Sequence, residues 1–215
     1  MAVIESYTPS DSVALSARIA PVVLAGGVIA IPTETYYGLG VNPFDSAAVA
    51  RVQSIKGRPD SKPILILIGD HAQLQDLVTD VSSAAQVLME VYWPGPLTLV
   101  FPADARLSES VTAGTGTVGV RHTSCAALAE LLRRIGPLTG TSANRSGELP
   151  IQTAAEVERV FGDVLDVIID AGTMPGGLPS TVVDVCDDVR MIREGPIDRE
   201  MIQRTLAARG FHLKS

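Results

Sequence analysis

Aromatic side chains are scarce, only 4% of these 215 residues, so any core must be aliphatic; a hydrophobic content of 46% is enough to fill one. Cysteine is nearly absent. Cys125 and Cys186 stand far apart, no CxxC pair occurs and the three histidines are scattered, which argues against a structural zinc site or any other metal cluster. A chain of this size has no need of a disulfide. Apolar runs end after about five residues, far short of the ~20 of a membrane-spanning helix. The opening MAVIESYTPSD has no basic region followed by an apolar stretch, so no signal peptide is expected and a cytoplasmic location is. Positive charge is in deficit too: a net charge of −7 argues against a protein whose main task is coating nucleic acid, though not against a local basic pocket.

Familiar catalytic signatures are also missing. There is no GxxxxGK(S/T) phosphate loop and no GxSxG elbow. Gly114–Gly119 matches GxGxxG but precedes a β-rich run instead of opening a helix, so the dinucleotide-binding mechanism does not apply. No cysteine or histidine sits in a nucleophile setting.

What remains is an alternation of two segment types. Residues 28–31, 64–68, 97–101, 118–121, 164–169, 181–185 and 190–193 read as strands. Between them lie helical patterns. Asp45, Thr153 and Asp198 stand as N-caps, and Ala85, Leu88, Met89 and Tyr92 recur at i, i+3, i+4, i+7, as do Leu128, Leu131, Leu132 and Ile135. An early helix is expected over 10–26, with Pro21 counting against it. The pattern predicts an α/β fold with a mixed sheet and one domain over 1–215.

The polar segments at the strand ends share a chemistry. Ile31 leads into PTETYYGLG. Lys56, Arg58 and Lys62 crowd into KGRPDSK, Arg121 ends VGVR, hydroxyls pack TGTSANRS, and Ser180 and Arg193 flank the last strands. Lysine as a point charge, arginine as a fork and hydroxyls as neutral donors suit phosphates and carboxylates. Open α/β sheets bind ligands where such loops converge. The composition therefore favours a nucleotide or another small polyanion. Each element also has an ordinary reading: a solvated loop at 56–63, surface ion pairs for Arg121 and Arg193, capping chemistry at 139–146. Glu34 reads better as a structural acceptor of backbone N–H groups than as a base, and Trp93 better as a core anchor than as a stacking platform.

Taken in order, PTETYYGLG, KGRPDSKPILILI, WPGPLTLV, VGVRHT, GTSANRSG, PSTVVDV and IREGPI resemble the YrdC-like threonylcarbamoyl-AMP synthases over about residues 12–208. The resemblance implies a twisted open mixed sheet with flanking helices around a basic cavity. It implies a nucleotidyltransferase that makes L-threonylcarbamoyl-adenylate and pyrophosphate from L-threonine, bicarbonate and ATP with Mg²⁺. A downstream threonylcarbamoyl transferase complex would then carry the group to adenosine 37 of tRNAs reading ANN codons. By motif position, Thr35, Arg121 and Gly140 would hold threonine. Lys56 and Arg58 would hold the phosphates and carry the catalysis, with Lys62, Thr117, Ser142, Asn144, Ser180 and Arg193 completing the ATP site. Tyr36 and Leu67 depart from residues that members often carry. Two other readings stay open: a related carbamoyl-adenylate-forming enzyme, and a non-catalytic factor binding tRNA or double-stranded RNA.

Overall fold

In a computed structural model of the chain, residues 1–57 and 62–214 are described. Strands are β1 (Val3–Ser6), β2 (Ile29–Ile31), β3 (Gly38–Gly40), β4 (Leu65–Ile68), β5 (Leu97–Pro102), β6 (Thr117–His122), β7 (Leu138–Ser142), β8 (Val167–Asp170), β9 (Thr181–Asp184) and β10 (Arg190–Arg193). Helices are α1 (Ser12–Leu24), α2 (Ser46–Lys56), α3 (Ser83–Tyr92), α4 (Glu109–Thr112), α5 (Ala126–Ile135), α6 (Ala154–Phe161) and α7 (Arg199–Ala207). The strands join one sheet in the order β1-β8-β2-β3-β7-β4-β6-β5-β9-β10. Four pairs are parallel (β1/β8, β2/β8, β4/β6 and β5/β9) and the rest antiparallel, which is the mixed sheet expected. No helix of the described residues is long and apolar enough to cross a membrane.

The helices start where their caps lie. Asp45 accepts from the N–H groups of Ala47 and Ala48, Thr153 from Glu156 and Asp198 from Met201. Gly57, left-handed at φ 58°, ends α2. Pro21 lies within the last turn of α1 and is solvent-exposed, so the ring costs one helical N–H without a core clash.

Side chains alternate across the sheet, and the two faces are finished differently. On one face, Ile64, Ile66, Leu99, Phe101, Val118, Val120 and Val183 pack against α2, α3, α4, α6 and α7 in the larger core. On the other, Leu15, Ile19 and Val23 of α1 and Leu128, Leu131 and Leu132 of α5 cover only β2, β4, β7 and β8. The remaining part of that second face is the floor of a cavity.

Two segments expected as polar turns are strands. Gly38–Gly40 carries almost no side chain to show a period, and its pairing with β2 and β7 makes it a strand. Leu138–Ser142 reads as turn chemistry, yet Thr139 is fully buried and its hydroxyl accepts from Val41 N–H at 3.1 Å. The strand expected from 164 begins at Val167, because the N–H groups of Val164 and Leu165 still bond back to the Phe161 carbonyl.

Candidate functional site

The register of the sheet builds the cavity floor from two cross-strand rows. Leu67 lies beside Arg121, and Thr98, Val182 and Arg193 continue that line across β5, β9 and β10. One step along the strands, Gly140, Leu65, Gly119, Val100 and Asp184 form the second row. Both rows enter a cavity of about 700 Å³, a size typical of small-molecule sites.

The PTET turn closes one side. Thr33 Oγ1 donates to Tyr36 O at 2.6 Å and accepts from the N–H groups of Thr35 and Tyr36, fixing a tight loop without using the Thr35 hydroxyl. A glycine-rich strap crosses that turn: Gly176 N–H donates to Thr35 O at 2.7 Å and Gly177 N–H to the Tyr36 hydroxyl at 3.3 Å. Both glycines have positive φ, 78° and 126°, which side-chain-bearing residues rarely adopt.

Arg121 and Glu34 form the buried electrostatic element. Arg121 is 8% exposed, and its Nη2 lies 3.1 Å from Glu34 Oε2. Glu34 Oε1 accepts from Thr123 Oγ1 and Ser124 N–H, each at 2.6 Å. Burial pushes the Glu34 carboxyl up, but the Arg121 charge and the Thr123 and Ser124 donors outweigh it and hold the group below the usual glutamate range. Glu34 is therefore an anchored anion, the structural acceptor expected. Arg121 Nε is buried with no hydrogen-bond partner, while the residue itself is among those lining the cavity.

Arg193 sits differently. Its Nε and Nη2 donate to Ser180 O at 3.1 and 2.8 Å, and Nη2 reaches Ser180 Oγ at 3.3 Å. Ser180 Oγ is in turn 2.9 Å from Thr98 Oγ1. Burial and the neighbouring Arg121 charge lower the Arg193 pKa, and among the described residues no carboxylate lies within ion-pair distance of it. Two guanidiniums facing one partly buried space make an anion site.

Of the residues expected from the sequence, Thr35, Thr117, Arg121, Gly140, Ser142, Ser180 and Arg193 line the cavity together. Lys56 and Asn144 do not. Lys56 is 4% exposed at the end of α2, where its ammonium donates to Ser142 O, to Asn144 O at 2.8 Å and to Asn144 Oδ1 at 3.1 Å. It braces the loop carrying Ser142 instead of opening into the cavity. Asn144 is spent on the same loop, donating to the carbonyls of Arg145 and Glu148. Lys62 is exposed and outside the lining, although Pro63 is within it. Arg58 lies outside the described residues. Trp93 is the core anchor expected, with its indole N–H donating to Leu97 O at 2.7 Å.

Thr98, Gly119 and Asp184 line the cavity as well and were not singled out from the sequence. Thr98 had a signal, one hydroxyl in an aliphatic strand. Asp184 had a weaker one, an acid in the β-rich run TVVDV. Among the described lining residues it is the only carboxylate, and no group of three or more metal-ligating side chains occurs among the described residues. That donor set does not make a protein cage for Mg²⁺. It fits an ion carried in on phosphate oxygens.

An open mixed sheet, a ligand-sized cavity on its uncovered face and two converging guanidiniums define an α/β protein built to hold a small polyanion. The Sua5/YciO/YrdC family model, described as "Telomere recombination", matches residues 22–195, and the chain belongs to this family. It is 37% identical over 191 residues to a threonylcarbamoyl-AMP synthase of Pyrococcus abyssi, covering 87% of this chain and 56% of that one. It is 38% identical over 177 residues to a threonylcarbamoyl-AMP synthase of Nitrosococcus oceani, covering 82% and 94%. The crystal structure of P. abyssi Sua5 complexed with L-threonine superimposes with a TM-score of 0.88 at 30% identity, over 100% of this chain and 62% of that one. The chain thus spans about three fifths of the length of the P. abyssi protein.

Proposed function

We propose that the chain is a cytoplasmic threonylcarbamoyl-AMP synthase, joining L-threonine, bicarbonate and ATP into L-threonylcarbamoyl-adenylate with release of pyrophosphate. The observation that carries this reading is the pairing of Arg121 and Arg193 in one row of one cavity, the first held by Glu34 and the second by Ser180. Two cations with separate supports suit two anionic substrates that must meet. The threonine complex of the P. abyssi relative supports the same reading.

In this reading Arg121 holds the threonine carboxylate as a fork, with the Thr35 hydroxyl and the bare backbone of Gly140 beside it. Arg193, Ser180, Thr117 and Ser142 hold the nucleotide. The threonine amine adds to bicarbonate with loss of water, giving a carbamate. A carbamate oxygen then attacks the α-phosphorus, the bond to the bridging oxygen breaks, and pyrophosphate leaves with the electron pair. No side chain needs to become a nucleophile. Alignment of the two substrates and neutralisation of the phosphate charge supply the rate, with Mg²⁺ bound on the triphosphate adding to that neutralisation. The product then serves a transferase that modifies adenosine in tRNA.

The test is the kinetics of Arg121→Ala. The KM for threonine should rise about a hundredfold, as expected for loss of a charge-assisted bidentate contact, while the KM for ATP stays within a few-fold. Equal loss of both would overturn the assignment of Arg121.

A further inference from the structure

The second cross-strand row has a property that anion binding does not use. Leu65, Gly119, Val100 and Asp184 are all half-exposed, whereas Ile66, Val118, Val120, Leu99 and Val183, between them on the opposite face, are buried. Gly119 puts no side chain into the row, and its neighbours leave little room for one: a Cβ there would stand 3.2 Å from Thr98 Cγ2 and 3.6 Å from Leu65 Cβ. An aliphatic strip left half open inside a cavity gains by being covered, and a planar aromatic ring covers it best. The strip ends in an acid. Asp184 Oδ1 accepts from Cys186 N–H at 2.9 Å, a turn that fixes the carboxylate's direction. A carboxylate in a cavity for polyanions repels phosphate, so it must serve another part of the ligand, one that donates hydrogen bonds.

Resting on the synthase reading, we propose that the row from Leu65 to Asp184 is the base platform of the nucleotide site, and that Asp184 selects adenine by accepting a hydrogen bond from its exocyclic 6-amino group. The triphosphate then lies toward the row of Arg121 and Arg193, and the acid faces the one neutral donor that adenine offers. A site with a fixed acceptor discriminates against a base that lacks the donor, because the ring then covers the carboxylate and strips water from it while offering no hydrogen bond in return.

The probe is purine riboside triphosphate, which differs from ATP only in lacking the 6-amino group. Binding of both nucleotides to the full chain is measured by calorimetry, once with EDTA and once with Mg²⁺, and L-threonine binding is measured on the same samples. The wild type should prefer ATP by about tenfold or more, the span of a hydrogen bond to a charged group. Asp184→Ala should lose that preference through weaker ATP binding, leaving the analogue and threonine unchanged. If the alanine variant does not fold, Asp184→Asn, which keeps a neutral acceptor, should show a reduced preference. Equal affinity of the wild type for both nucleotides overturns the proposal, as does an unchanged ratio or a parallel loss of both in the variants. A loss seen only with Mg²⁺ would make Asp184 a metal ligand and overturn it too. A wild type that binds threonine but neither nucleotide would instead overturn the synthase reading itself.

Discussion

Arg121 and Glu34 form an ion pair inside the protein, Nη2 to Oε2 at 3.1 Å, while the second oxygen of Glu34 is taken up by Thr123 and Ser124. The carboxylate ties the end of β6 to the PTET turn and aims the guanidinium at the cavity. Glu34→Gln keeps the shape but leaves the Arg121 charge uncompensated in a buried setting. It should destabilise the fold by about 3 kcal/mol and raise the KM for threonine more than that for ATP. Denaturant unfolding and substrate-resolved kinetics check the two halves.

The same pair sets an acid sensitivity. The folded-state pKa of Glu34 lies below its ordinary value near 4.5, so its contribution is complete above that pH and is lost as the pH falls through the lower folded value. The stability difference between wild type and Glu34→Gln should be constant from neutrality to about pH 5 and shrink below about pH 4.5. Denaturant titrations of both proteins at stepped pH report it. Exposed carboxylates with depressed values, such as Asp104 and Glu130, cancel in the difference.

Lys56 acts through the loop it braces. Lys56→Met removes the buried ammonium shared by Ser142 O and Asn144 O, leaving Ser142 O with the Asn144 N–H at 3.0 Å and taking the Lys56 partner from Asn144 O. A stability loss of about 2–3 kcal/mol is expected, with nucleotide binding weakened and threonine binding nearly kept. Thermal unfolding and calorimetry with each substrate separate these effects.

Gly140 has no room for a side chain. A Cβ would stand 2.7 Å from both Cγ and Cδ1 of Leu67, which is itself buried against Leu138 and α5. Gly140→Ala should cost about 1–3 kcal/mol through overpacking and raise the KM for threonine, because Leu67 is the cross-strand neighbour of Arg121. Unfolding curves and threonine titrations check it.

Much of the architecture is legible in the sequence because its signals are local. Asp45, Thr153 and Asp198 mark helix starts by their own capping chemistry, and the aliphatic strands announce themselves by β-branched runs. Gly38–Gly40 and Leu138–Ser142 are hidden because their strand character comes from pairing with each other, and for the second segment with β4 and Val41, far away in sequence. The site divides the same way. Arg121, Arg193 and Ser180 stand out as donors at strand ends. That Lys56 turns back to the main chain, and that Asp184 turns into the cavity, depends on register and burial, which residue type does not encode. Thr98 meets Ser180 across two parallel strands 82 residues apart in the chain.

The central claim is tested most directly by the product. The protein is incubated with ATP, L-threonine, ¹³C-bicarbonate and Mg²⁺, and the mixture is read by mass spectrometry alongside pyrophosphate release. The account predicts threonylcarbamoyl-AMP carrying one ¹³C, formed together with pyrophosphate and lost when threonine, bicarbonate or ATP is left out. Folded protein that binds ATP and threonine yet yields no labelled adenylate would contradict it.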